Sequence, residues 1–372
     1  MNLSVNFMGI ELKNPLIIAA GPWTRNGEMM KKAVDAGVGA VVTETIVNEI
    51  RANVRPRLVE KEGGMQNIGL YSEFTLEEWE NEIGYVKEQG GVVIANILAQ
   101  TPSEMAYIAS RVEKFGADAI ELGVASPHGE GIEVLASNPY QLYEITNRVV
   151  ERVKIPVMVK LSPNVTNVAK LAKVAEKAGA SAISAIDTVR SIIGVDVKAG
   201  KPLLPTYGGY SGTPIRPIGL AAVASISQAI NLQVCGIGGI ENYYNILEYM
   251  MLGASTIQMG TSIILNGFDH IGKVIYDLEK WMIDNRYENF EEIRGKALTS
   301  LKSFDEMKIE PYIAQTEKEC VNAHCEKCKI GCIYNAIKKE GKKVIVDTER
   351  CTGCGLCVSI CSHKNFKLIW KE

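Results

Sequence analysis

Nine cysteines occur in the 372 residues, and eight of them fall in two similar quartets, Cys320-x4-Cys325-x2-Cys328-x3-Cys332 and Cys351-x2-Cys354-x2-Cys357-x3-Cys361. Thiols crowded in this way into one tail are metal ligands rather than the disulfide framework of a secreted fold. Structural zinc pairs typically use well-separated CxxC pairs and often histidine, whereas quartets of this spacing suit iron–sulfur clusters. The ninth, Cys235, stands alone in an apolar stretch. A different chemistry is suggested by Lys160, which ends the otherwise apolar run Val157-Met158-Val159. A buried ammonium without a compensating group is costly, so Lys160 is expected either to meet such a group or to reach solvent. Two further clusters, Gly236-Ile237-Gly238-Gly239-Ile240 and Met259-Gly260-Thr261-Ser262, expose backbone N–H groups of the kind that hold phosphate.

The elements that must position these groups are legible in the hydrophobic pattern. Short apolar runs at 15–21, 38–45, 91–98, 119–124, 156–161, 182–187, 233–236 and 256–260 are separated by stretches of helical period such as 76–89, 103–115 and 165–178. Apolar runs without alternation suit strands buried on both faces of a parallel sheet, and eight β/α units close a barrel. A weak internal repeat supports the count: Ala36-Gly37-Val38, Phe115-Gly116-Ala117, Ala178-Gly179-Ala180 and Leu252-Gly253-Ala254 each place glycine where a helix should stop and a strand begin. The runner-up, an open doubly wound sheet, would carry a glycine fingerprint after its first strand, and Ala19-Ala20-Gly21-Pro22-Trp23 lacks it. In a barrel the two glycine clusters follow strands 7 and 8, the usual place for a phosphate. The reading is a barrel over residues 1–302, a linker over 303–318 and a small cysteine domain over 319–372, with a charged helix near 279–294. Composition is that of a soluble globular protein: 47% hydrophobic and 22% charged residues, with a net charge of -3. That charge lends no support to a nucleic-acid or anionic-membrane surface. No apolar run approaches the roughly 20 residues of a membrane span, and the first twenty residues lack the features of a signal peptide. A cytoplasmic enzyme is expected.

The barrel resembles the dihydroorotate dehydrogenase family of flavoproteins, and most of all the pyrimidine-reducing domain of dihydropyrimidine dehydrogenases. The marks are Asn14-Pro15-Leu16 with Ala20-Gly21, Asn67-Ile68-Gly69-Leu70, Ser126-Pro127-His128-Gly129, Lys160-Leu161-Ser162-Pro163-Asn164, Gly208-Gly209-Tyr210-Ser211-Gly212 and Gly238-Gly239. Those reducers also share a tail resembling bacterial-type two-cluster ferredoxins. The resemblance implies FMN held by Ala20, Gly21, Thr45, Asn96, Lys160, Ser211, Gly212, Gly238, Gly239, Gly260 and Thr261. It places the Lys160 ammonium beside the reduced flavin. It makes Ser126 the acid/base that exchanges a proton with substrate, with His128 in the proton chain or against substrate. In the ferredoxin pattern the fourth cysteine of each run ligates the other cluster. Cys320, Cys325, Cys328 and Cys361 would therefore hold one 4Fe-4S cluster, and Cys351, Cys354, Cys357 and Cys332 the second. The four-residue interval after Cys320 and the residues Ile333 and Ser362, where proline usually follows the fourth cysteine, depart from that pattern.

Three departures in the barrel bear on substrate. The family lysine after strand 2 is Glu44, the asparagine that opens the strand 4 motif is Gly123, and the one ending strand 6 is Asp187, beside Thr188; Asn67 is kept. Amides offer donor and acceptor together, whereas carboxylates only accept. Glu44, Asn67, Asp187 and Thr188 are therefore expected to face a substrate that presents N–H donors or positive charge, or is larger than uracil, and not orotate. Alternatively, Glu44 and Asp187 pair with loop cations such as Arg190. The expected activity is the addition or removal of two hydrogens across a C=C or C=N bond of a small N-heterocycle. Electrons would pass through the clusters to or from an external ferredoxin or NAD(P)H-oxidising flavoprotein subunit, within a homo- or hetero-oligomer. The alternatives are a genuine dihydropyrimidine or dihydroorotate dehydrogenase, and an electron-transfer subunit without its own substrate.

Overall fold

A computed structural model describes residues 2–125, 135 and 137–371; the motif residues Ser126 and His128 lie outside them. The chain divides into two compact units, Met1–Leu301 and Lys302–Glu372.

In the first unit eight parallel strands close a barrel in chain order: β1 (Leu16–Ile18), β2 (Ala40–Val42), β3 (Val93–Ile97), β4 (Ala119–Gly123), β5 (Val157–Leu161), β6 (Ala182–Ala185), β7 (Gln233–Ile237) and β8 (Thr256–Met259). Among the described residues eight longer helices lie between or after them: α1 (Gly27–Asp35), α2 (Leu76–Glu88), α3 (Pro102–Lys114), α4 (Pro139–Val150), α5 (Val168–Lys177), α6 (Arg216–Ser227), α7 (Tyr243–Met251) and α8 (Asp269–Asp284). The repeated glycines end helices as expected: Gly37, Gly116, Gly179 and Gly253 have φ of 104°, 94°, 92° and 102°, in the left-handed region that disfavours other residues. The charged stretch 279–294 is α-helical only to Asp284, because Arg286 turns the chain with φ 61°, and a single 3-10 turn follows at Phe290–Glu292.

Alternation along the strands sorts two layers. Val93, Ala95, Ile97, Ile120, Leu122, Val157 and Val159 join the core shared with the helices. Ile17, Ala40, Val42, Ile94, Met158 and Cys235 fill the barrel interior. The antiparallel hairpin Val5–Phe7 with Ile10–Leu12 closes the N-terminal end, burying Phe7 and Leu12 against that interior set. Burial pushes the Cys235 thiol up to about 12, which makes it a packing group and not a nucleophile.

The pattern gave no sign of a four-stranded antiparallel sheet, in the order Val189–Ser191, Gly208–Gly212, Gly64–Asn67, Leu58–Lys61. Its strands come from the excursions after β2 and β6, and they set Asn67, Ser211 and Gly212 beside the C-terminal ends of the barrel strands.

In the second unit β9 (Tyr312–Thr316) pairs antiparallel with β12 (Phe366–Trp370), and β10 (Ile337–Glu340) with β11 (Lys343–Val346). The expected linker 303–318 therefore carries a strand. Tyr312, Ala314 and Thr316 pair with Trp370, Leu368 and Phe366, which a local reading of 303–318 cannot detect because the partner lies some fifty residues on. The core is small: Ala314, Cys328, Ile337 and Phe366 are buried, with four more cysteine and three valine side chains packed on them.

Candidate active site

Three glycine-rich turns and four strand ends build one cavity of about 380 Å³ at the C-terminal end of the barrel, within the usual range of roughly 300–1,000 Å³ for a cofactor site. Ala20 and Gly21 reach it from the turn after β1, Thr45 from the turn after β2, and Asn96 and Lys160 from β3 and β5. Ser211 and Gly212 reach it from the antiparallel sheet, Gly238 and Gly239 from the turn after β7, and Gly260 and Thr261 from the turn after β8. Backbone contacts leave no room for side chains in this cradle. A Cβ on Gly239 would stand 2.9 Å from the Gly212 carbonyl oxygen, and one on Gly212 2.6 Å from that of Gly63. Thr261 donates to Ser211 through their hydroxyls at 2.7 Å, tying the two glycine turns together. The Tyr249 hydroxyl donates to the Gly238 carbonyl at 2.7 Å and braces the third turn from α7. Gly21 and Gly260 make space for the Trp23 ring on the wall, and its indole N–H donates to the Ala19 carbonyl at 2.6 Å.

Beneath the cavity floor lies a carboxylate that the sequence reading missed. Glu121 has no exposed surface, and its register puts it beside Asn96. Its Oε1 accepts from Asn96 Nδ2 at 2.8 Å, and its Oε2 from Ser184 Oγ at 2.8 Å and Gln258 Nε2 at 2.7 Å. Lys160 Nζ lies 3.6 Å from the same carboxylate. The buried ammonium, expected to be compensated by a flavin, therefore has a counterion in the protein itself. Burial works against the Lys160 charge, but the Glu121 and Asp187 carboxylates outweigh it and hold its pKa above the ordinary lysine value. The signal was present in Ala119-Ile120-Glu121-Leu122, where one acid interrupts a run buried on both faces.

Glu44, Asn67, Asp187 and Thr188 line the same cavity. The Glu44 carboxyl has no hydrogen-bond or ion-pair partner among the described residues. Burial pushes its pKa up to about 7, against the opposing field of Arg57 and with Glu73 adding to the rise. Asp187 is partly occupied, its Oδ1 accepting from Thr188 N at 2.6 Å. Asn67 spends its carbonyl on Gly69 N at 2.7 Å, so its amide N–H groups are left for a ligand. The Arg190 guanidinium lies over the Tyr207 ring at 4.5 Å. Arg57, absent from the sequence reading, is the guanidinium on the cavity wall.

In the second unit the two cysteine runs repeat one geometry. Ala336 N donates to Cys332 Sγ at 3.3 Å and Asn365 N to Cys361 Sγ at 3.4 Å, four residues after the last cysteine in each case. Cys328 and Cys357 sit on the short helices Lys327–Ile330 and Leu356–Ile360. Burial raises the pKa of Cys328, and Cys361 and Cys320 raise it further. Burial likewise takes Cys357 up to about 11, with Cys351 and Cys354 adding to it. Cys332 lines one small cavity with Cys351, Cys354 and Cys357. Among the described residues no three His, Cys, Asp or Glu side chains converge as the ligands of one metal ion would. A four-iron cube, in contrast, spreads its ligands over four corners. No helix of the described residues is long and apolar enough to cross a membrane.

The family model described as dihydroorotate dehydrogenase matches residues 2–282, and one described as 4Fe-4S binding domain matches 342–363. A dihydroorotate dehydrogenase B (NAD(+)) catalytic subunit of Thermoplasma volcanium is 35% identical over 301 residues, covering 80% of this chain and 99% of the relative. The protein of the same name from Pyrococcus abyssi is 36% identical over 303 residues, covering 80% and 99%. That from Methanocaldococcus jannaschii is 33% identical over 302 residues, covering 79% and 98%.

Proposed function

The chain belongs to the dihydroorotate dehydrogenase family, oxidoreductases acting on CH–CH groups, and we propose that it moves two hydrogens to or from a small N-heterocycle using FMN and two 4Fe-4S clusters. The observation that carries this reading is the single cavity in which a phosphate-sized glycine cradle, a floor cation and an unpartnered carboxyl meet. Bound there, FMN supplies the hydride chemistry. Gly238, Gly239, Gly260 and Thr261 would hold its phosphate through backbone N–H groups, and Ala20, Gly21, Thr45, Asn96, Ser211 and Gly212 would enclose the rest. Lys160 would set its ammonium against the ring.

Substrate would lie over the ring against Glu44, Asn67, Asp187 and Thr188. Glu44 and the remaining oxygen of Asp187 accept N–H groups, and Asn67 donates. Ser126, with His128 near it in sequence, would exchange the proton; a hydroxyl needs such a partner to act at neutral pH. A ring offering N–H donors or positive charge fits best, and orotate is disfavoured because its carboxylate would face two acids. The second reading is dihydroorotate itself, the substrate named for the relatives, and Arg57 on the cavity wall is the observation that favours it. Both readings are tested by turnover of uracil, orotate and amino-substituted heterocycles by the anaerobic enzyme. The first expects uracil and orotate to be poor and Asp187→Asn to improve uracil at the expense of the best substrate. Orotate as the best wild-type substrate would establish the second.

Cys320, Cys325, Cys328 and Cys361 would ligate one cluster, and Cys351, Cys354, Cys357 and Cys332 the other, as the shared small cavity and the mutual influence of the thiols favour. The relatives are named catalytic subunits of NAD(+) enzymes and are accounted for by about 300 residues, the length of the first unit here. This chain thus carries its own iron–sulfur relay, fed by an external electron-transfer subunit or ferredoxin. Clusters on thiolates suit a reducing compartment, which favours the cytoplasm.

A further inference from the structure

Five polar side chains from five barrel strands meet under the cavity: Asn96, Glu121, Lys160, Ser184 and Gln258. Glu121 is their hub, taking hydrogen bonds from Asn96, Ser184 and Gln258 and facing Lys160 at 3.6 Å. An ionised carboxylate has only acceptors, so every group turned toward it must be a donor. That requirement fixes both amides with their N–H groups on Glu121, and it leaves Asn96 Oδ1 and Gln258 Oε1 buried without partners among the described residues. A buried carbonyl left without a donor is destabilising. The arrangement persists only because bonds to a charged acceptor are individually stronger than neutral ones. Glu121 itself does not line the cavity, whereas Asn96, Lys160 and Gln258 do.

The geometry points to Glu121 as a positioning residue that acts on the flavin through Lys160: it holds the ammonium in place beneath the ring and cancels its charge, so that the floor stays near neutral and the flavin is a strong reductant. The inference rests on the FMN reading of the cavity. Reduction adds negative charge to the ring. A floor with an uncompensated ammonium favours that change, and a floor with a matched ion pair favours it less.

The test is the two-electron midpoint potential of the anaerobic holoenzyme. Glu121→Gln keeps the size of the side chain but removes the charge, and it should favour reduced over oxidised flavin by about tenfold or more, a positive shift of about 30 mV. Glu121→Asp, which keeps the charge, should stay closer to wild type. Combining Glu121→Gln with Lys160→Met removes both charges and should bring the potential back toward wild type, because the matched pair and the uncharged floor carry the same net charge. A purely structural role would change melting temperature in all these variants and leave the potential alone. If Glu121→Gln does not retain FMN, the double variant decides by its own potential. A value near wild type supports the pairing, and a value far below wild type overturns it. A wild-type potential in flavin-loaded Glu121→Gln also overturns the inference. Wild-type protein that binds no FMN would instead remove the cofactor reading on which it rests.

Discussion

Glu44 is a carboxyl moved from water to the wall of a cavity, and burial sets its pKa near 7 although Arg57 and Arg25 oppose the rise. A carboxyl whose folded pKa lies above its unfolded value near 4.5 binds more protons when folded. Its contribution to stability is therefore present below pH 4.5 and lost as pH rises through about 7. Glu44→Gln should remove that loss, so the melting temperature of the flavin-free variant should exceed wild type at pH 8 and match or fall below it at pH 4.5. Equal differences at the two pH values would mean that Glu44 is solvated in the folded protein. Ser126→Ala should leave FMN in place and slow flavin reoxidation by substrate on the order of 10² to 10⁴-fold, the scale of lost acid/base catalysis. Stopped-flow rates near wild type would move the proton to His128. Glu44, Asn67, Lys160 and Asp187 were legible because each stands in or next to a recognisable motif. Glu121, Gln258 and Arg57 were not. Glu121 and Gln258 sit inside runs that read as apolar strands, and Arg57 reaches the cavity only through a sheet formed by distant segments.

At the scale of elements, the barrel strands and the helix-ending glycines follow from local pattern, since each β/α unit contacts its neighbours in sequence. The antiparallel sheet at the strand ends does not. Gly208–Gly212 contains no strong strand former other than Tyr210 and pairs with Gly64–Asn67, far away in sequence. That sheet carries Gly212, against which the turn after β7 is packed, and it makes a sharp prediction. Gly239 has φ 66°, and an added Cβ would meet the Gly212 carbonyl oxygen at 2.9 Å and the Arg216 Cβ at 2.8 Å. Gly239→Ala should displace the turn and weaken FMN about tenfold or more, about 1.4 kcal/mol, with little effect on riboflavin, which lacks the phosphate. Fluorescence titration of the two ligands checks it. Equal losses for both would locate the phosphate elsewhere.

For the whole molecule, the two units rest on different sources of stability. The barrel buries extensive apolar layers, whereas the second unit has a core of four buried residues surrounded by thiols. A domain of about 70 residues with so small a core needs a staple, and the proposed clusters on its eight cysteines would be that staple. Protein prepared anaerobically should contain about eight irons per chain. Removing them with acid or chelator should abolish protease resistance in residues 302–372 while FMN stays bound to the barrel; four irons, or zinc, would remove the two-cluster reading. The account as a whole turns on whether electrons held by the flavin go to a ring substrate. Photoreduced holoenzyme mixed anaerobically with uracil, orotate and amino-substituted heterocycles reports this through the return of the oxidised flavin absorbance. The account predicts rapid reoxidation by a heterocycle bearing N–H donors and slow reoxidation by orotate. Reoxidation by none of the rings, with electrons passing only to an external protein acceptor, would contradict it and make the barrel a relay.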